Sequence, residues 1–218
     1  DRKTDGIFRG VRSMTPGGRR PSAGGVMLRS RHFPEAVQDR FVTTQCIGFH
    51  GLRWYELMPR GSGFETRSLS RELLQSTDTS FRPIDVEIGP DGAMYVLDWA
   101  NPIVGHMQFN IRDERRDQRH GRVWRISHSN RPLLTPPDLE TASVEDVLPH
   151  LRDHEITTRA LARRRLQEGD PERVLPALRT WVRGIDPGDP ERERLMLEAL
   201  WIHQGLNEIE ATLLDQVL

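Results

Sequence analysis

Residues 112–120 set four arginines, Arg112, Arg115, Arg116 and Arg119, among Asp113, Glu114 and Asp117, and end on His120. A histidine beside a carboxylate suits acid–base chemistry, because imidazole titrates near neutral pH and the carboxylate orients the ring. His106, slightly upstream, and His120 are therefore candidate catalytic groups, with Asp113 and Asp117 to orient them. Arg82 stands just before Pro83, where its planar guanidinium suits an anion or a quinone oxygen. Together with His50 and Arg112 it forms the candidate cofactor-binding set. Asp98, just before Trp99, has the chemistry to bind a metal or sugar hydroxyls, or to cap a loop. The competing reading makes residues 112–120 a solvated, salt-bridged loop and His50 a structural residue. No spacing of these groups names a metal. No Gly-rich phosphate loop, nucleophile elbow or dinucleotide fingerprint occurs.

These residues need elements to position them. Ile84, Val86 and Ile88 alternate with Asp85 and Glu87, the period of a half-buried strand. Gly89-Pro90-Asp91-Gly92 follows, with each residue suited to its place in a β-turn. Ala93-Met94-Tyr95-Val96-Leu97 then reads as a strand buried on both faces. A third strand is expected over residues 121–126. Upstream, residues 25–28, 41–44, 52–57 and 65–69 read as four more strands, with Gly61-Ser62-Gly63 as a turn. Two sets of short antiparallel strands, beginning about 57 residues apart, carry the signature of β-propeller blades. In that arrangement Arg82, His50 and the long loop over residues 100–120 meet at one end of the blade, the candidate site. A loop of that length inside a compact domain is usually functional.

Past Pro132, Pro136 and Pro137 the period changes to that of helices. Ser143-Val144-Glu145-Asp146 begins one helix, a second runs over residues 155–169, and Asp170-Pro171-Glu172-Arg173 begins a third. Asp189-Pro190-Glu191-Arg192 repeats that start 19 residues later. The repeat predicts a HEAT-like helical solenoid over residues 143–218, with a plain helical bundle as the competing fold. The expected fold is thus all-β propeller blades over residues 1–134, followed by an all-α solenoid.

The charge distribution agrees with a change near residue 134. Residues 1–134 hold 21 basic and 15 acidic groups, and residues 135–218 hold 10 and 17. The net charge of −1 gives no field that would draw the chain to nucleic acid. No apolar run is long enough to span a membrane. Cys46, the only cysteine, excludes an internal disulfide and a c-type haem motif. A chain opening on Asp1-Arg2-Lys3 and stopping within an amphipathic pattern reads as a piece of a longer protein.

Several stretches, in order, resemble the planctomycete-type membrane-bound dehydrogenases. They are Ser30-Arg31-His32-Phe33-Pro34-Glu35, Phe81-Arg82-Pro83-Ile84-Asp85-Val86, the Gly89-Pro90-Asp91-Gly92 hairpin, Asn101-Pro102-Ile103-Val104-Gly105-His106, Ile111-Arg112-Asp113, and His120-Gly121-Arg122-Val123-Trp124-Arg125-Ile126. That family joins a propeller similar to the glucose/sorbosone dehydrogenases to HEAT-like helices. The resemblance implies the last two of about six blades and a periplasmic or secreted protein. It also implies quinone-linked oxidation of a sugar or polyol, with pyrroloquinoline quinone and calcium as cofactors and haem in a module outside this chain. The sugar dehydrogenases carry Arg-x-Arg-Asp where this chain has Arg82-Pro83-Ile84-Asp85, so Arg82 is matched and the second Arg is replaced by Ile84. The expectation of another class is a non-catalytic scaffold that binds carbohydrate, or protein partners through its helices.

Overall fold

The computed structural model describes residues 23–103 and 112–217; His106 lies outside the described residues. The described chain divides into two units. The first holds residues up to Leu28, Pro34–Glu87 and Met94–Ser127, and the second Arg29–Phe33, Ile88–Ala93 and His128–Leu218.

In the first unit, β1 (Gly25–Leu28), β2 (Arg40–Gln45), β3 (Gly51–Arg60) and β4 (Gly63–Ser68) form an antiparallel sheet in that order. Gly61, at φ +57°, closes the tight turn between β3 and β4 in the left-handed region that glycine enters without strain. A two-residue strand, β5 (Leu74–Gln75), also pairs with β3, through Gly51 and Leu52. The second sheet has three strands, β6 (Pro83–Ile88), β7 (Met94–Asp98) and β8 (Arg122–Ile126). In β7, Met94, Val96 and Asp98 are buried while Leu97 is 39% exposed. This strand is covered on one face, not on both as its apolar composition suggested. Register pairs Leu97 with Val123 and Tyr95 with Arg125, which places them on the outer face.

The strands stand close to where alternation placed them, but they do not assemble into propeller blades. Both sheets are small and open, one of five strands and the other of three. The ten residues of β3 explain the first departure. The strand is long enough for β4 to pair with Tyr55–Arg60 and for β5 to pair with its opening residues, so the sheet is not a four-stranded unit that repeats.

The helices do not form a solenoid either. α1 (Val144–Val147), α2 (Ile156–Gln167), α3 (Pro171–Arg183), α4 (Arg192–Gly205) and α5 (Ala211–Val217) all contribute to one core. Val147, Leu166, Leu178, Leu195, Ile202 and Leu213 meet there. A solenoid would instead pass its apolar contacts only from each repeat to the next. The repeated tetrapeptide also does two different jobs. Asp170 caps α3 by accepting from the Glu172 amide at 3.0 Å, with Pro171 in the first turn. Asp189 instead closes a turn, accepts from the Glu191 amide at 2.8 Å and pairs with Arg152, and α4 starts only at Arg192. The described residues are therefore mixed α/β: two small open sheets and five α-helices. Among the described residues no helix is long and apolar enough to cross a membrane.

Candidate functional site

Asp98 ends β7 with its side chain fully covered. Its Oδ1 accepts from the Arg82 amide at 2.7 Å and the Ala100 amide at 2.8 Å. Its Oδ2 accepts from Arg122 Nε at 2.7 Å and Trp124 Nε1 at 2.9 Å. Burial alone would raise this carboxyl, but the donors from Trp124, Arg82, Ala100 and Arg122 outweigh it and hold the group below the usual range. The same carboxylate fixes a strained turn, because Ala100 sits at φ +53°. Trp99, between them, is left 41% exposed.

Arg82 is 5% exposed and turned inward. Nε donates to the Asn101 carbonyl at 2.8 Å, Nη1 to the Cys46 carbonyl at 2.6 Å and Nη2 to the Pro102 carbonyl at 3.1 Å. Nη1 also lies 2.6 Å from His50 Nε2. Arginine has no acceptor atom, so this ring nitrogen must be the acceptor and His50 is neutral here. Burial first, then the Arg82 charge, push the His50 pKa down. Arg82 and His50 thus meet each other, as expected of one site, but they clamp main chain. A quinone anchor needs outward donors, and four of the five guanidinium N–H directions are already used. Arg82 does not fit that role. Among the described residues no three His, Cys, Asp or Glu side chains are grouped to hold a metal ion.

In front of the Asp98–Arg122 pair lies a groove of about 480 Å³. One wall is apolar, made by Ile84, Leu97, Trp99 and Val123, and the other runs from Asp117 to His120. His120 Nδ1 stands 3.1 and 3.0 Å from the two carboxylate oxygens of Asp117. The Arg119 amide is the largest influence holding Asp117 below its ordinary range, and His120 adds to it. The expected histidine–carboxylate pair is therefore present at Asp117 and His120. Asp113 is elsewhere engaged. Arg115 grips it through Nε and Nη2 at 2.9 and 2.8 Å, which lowers its pKa to about 2. Arg112 is exposed and does not line the groove.

Trp99 was not among the residues singled out for chemistry. The signal was present: it continues the outward series Tyr95, Leu97 by one more alternation. Motifs of the second unit prove to be fastenings. Ser30 Oγ donates to the Gly92 carbonyl at 2.8 Å, and His32 Nδ1 lies 2.8 Å from the Pro132 carbonyl. His32 Nε2 accepts from the His128 amide, also at 2.8 Å.

Fold and groove together define a mixed α/β protein with an aromatic-walled cleft on a small open sheet. Residues 7–130 match the family described as a domain of unknown function, DUF7133. The match spans more than half of the 218 residues, and the chain belongs to that family. No curated protein and no solved structure matches it.

Proposed function

We propose that the chain is a non-catalytic scaffold that binds carbohydrate, with the Trp99 groove as the sugar-binding face. The observation that carries this reading is the pairing of an exposed indole with a facing polar wall, Asp117 to His120. A sugar ring needs both, an apolar face for its C–H surface and short polar groups for its hydroxyls. The inward use of Arg82 and Asp98 supports binding over catalysis, since neither is left to act on a ligand. A panel of glycans and polyols titrated into the protein tests it. At least one should bind, and Trp99→Ala should weaken it about tenfold, the effect of losing one aromatic anchor. No binding across the panel, or an unchanged affinity in the variant, would remove this reading.

One observation favours a second reading, oxidation of a sugar or polyol in the same groove. Asp117 holds His120 through Nδ1, which leaves Nε2 as the atom to take a hydroxyl proton. The oxidant would then be held by residues other than Arg82. Dye reduction across the same panel, with pyrroloquinoline quinone and calcium supplied, separates the two. Turnover that disappears in His120→Ala would establish the second reading and end the first.

A further inference from the structure

Five ionisable side chains border the Trp99 groove: Asp98, Asp117, Arg119, His120 and Arg122. Four of them are engaged with one another or with main chain. Asp98 is fully covered and spends both oxygens on four donors. Arg122 holds Asp98 through Nε and Asp78 through Nη1. Asp117 accepts from the Arg119 and His120 amides at 2.9 and 3.1 Å, and it pairs with the His120 ring.

Arg119 is the exception. Its amide serves Asp117, but its guanidinium has no hydrogen bond or ion pair among the described residues. It is exposed and it lines the groove. Nearby arginines of the same run are occupied, Arg115 by Asp113 and Arg116 by the Ile103 carbonyl at 3.4 Å. Both carboxylates of the lining are already turned to donors, so the charged group open to a ligand is a cation. Its planar fork of donors matches a carboxylate, which takes two parallel N–H bonds at once.

We propose that the groove binds an acidic sugar, a pyranose bearing a carboxylate, and that Arg119 selects it over its neutral counterpart. The assignment rests on the carbohydrate reading above and adds the charge of the ligand. A pyranose uronate carries its carboxylate at the edge of the ring. A ring that lays its C–H face on the Trp99 indole turns an edge toward the facing wall, which holds Arg119. A neutral hexose presents a hydroxyl there, which gains no charge-assisted bond.

Calorimetric titration of the whole chain with trisaccharides of glucuronic, galacturonic and mannuronic acid, each beside its methyl ester, tests the assignment. The ester keeps the shape of the acid and removes its charge. At least one acid should bind about fivefold tighter than its ester, the effect of one charge-assisted contact at an open rim. Added salt should narrow that gap, because exposed charges are screened. Arg119→Gln, an exposed change, should abolish the gap and leave the ester's affinity as it was. Trp99→Ala should weaken acid and ester alike. An ester that binds as tightly as its acid, with both weakened by Trp99→Ala, would overturn the acidic-sugar assignment and leave the carbohydrate reading standing. A preference for the acid that survives Arg119→Gln would overturn the role of Arg119. Neutral glycans binding where all three acids fail would end this proposal alone, whereas no binding by any sugar would end both.

Discussion

Replacing Asp98 isolates the contribution of one covered carboxylate to the fold around the groove. Its four donors differ in what they can do when it is gone. Arg122 keeps Asp78, 3.1 Å from Nη1, and Trp124 is 46% exposed, so both can turn to water. The Arg82 amide belongs to a residue only 5% exposed and the Ala100 amide to a tight turn, and both donate to Asp98 Oδ1. Each stranded amide costs about 1–3 kcal/mol. Asp98→Ala should therefore destabilise by about 3–5 kcal/mol, a large part of a typical folding free energy. Asp98→Asn keeps an oxygen for the two amides but turns an NH₂ toward the Arg122 and Trp124 donors. It should cost less, about 1–2 kcal/mol. Urea unfolding followed by tryptophan fluorescence reads both midpoints, and an unchanged slope confirms that the effect lies in the folded state. The pH dependence gives a second check. This carboxyl is depressed in the folded protein, so its contribution is complete above the unfolded value near about 3.9 and is lost as pH falls through the folded value. The asparagine variant should lose that part of the acid limb. If Asn costs as much as Ala, or Ala stays within about 1 kcal/mol of the parent, the carboxylate is not what holds Arg82 and Ala100.

Two further perturbations follow from the same geometry. His50 is held neutral by burial and by Arg82, so its folded pKa lies below the ordinary one; its contribution is present above about 6.5 and declines as pH falls toward the folded value. An NMR titration should give a midpoint below that of a free histidine peptide, and an ordinary midpoint would mean the ring does not accept from Arg82. Gly92→Ala should cost about 2 kcal/mol or more, because φ is +81° and the new Cβ would come within 2.7 Å of Ser30 Oγ and 2.9 Å of His32 Cβ. Thermal unfolding measures it, and a neutral substitution would show that the turn relaxes freely.

Local structure was readable where it is set by near neighbours. The Gly89–Gly92 turn forms as its residue types require, with the Gly92 amide on the Gly89 carbonyl at 2.9 Å and the Ala93 amide on Asp91 Oδ1 at 3.1 Å. Assembly was not readable, because distant partners decide it. Leu74 and Gln75 are too few to show a period, yet their pairing with β3 changes the sheet. Arg82 looked free to meet a ligand because its three carbonyl acceptors lie 36, 19 and 20 residues away. Asp189 repeats the letters that cap α3, and its pairing with Arg152 puts it to another use. Within the site, the Asp117–His120 pair was legible because only two residues separate its members. The indole opposite them needs the strand's outward face to be known first.

The grip of Arg82 on three main-chain carbonyls bears on what can change around it. Carbonyl oxygens are common to every amino acid, so the positions held at 46 and 102 stay anchored whatever residue evolution installs there. A cation kept at position 82 would then let the bordering loops drift in composition while their paths stay put. Relatives could retune what the cleft accepts without rebuilding its frame.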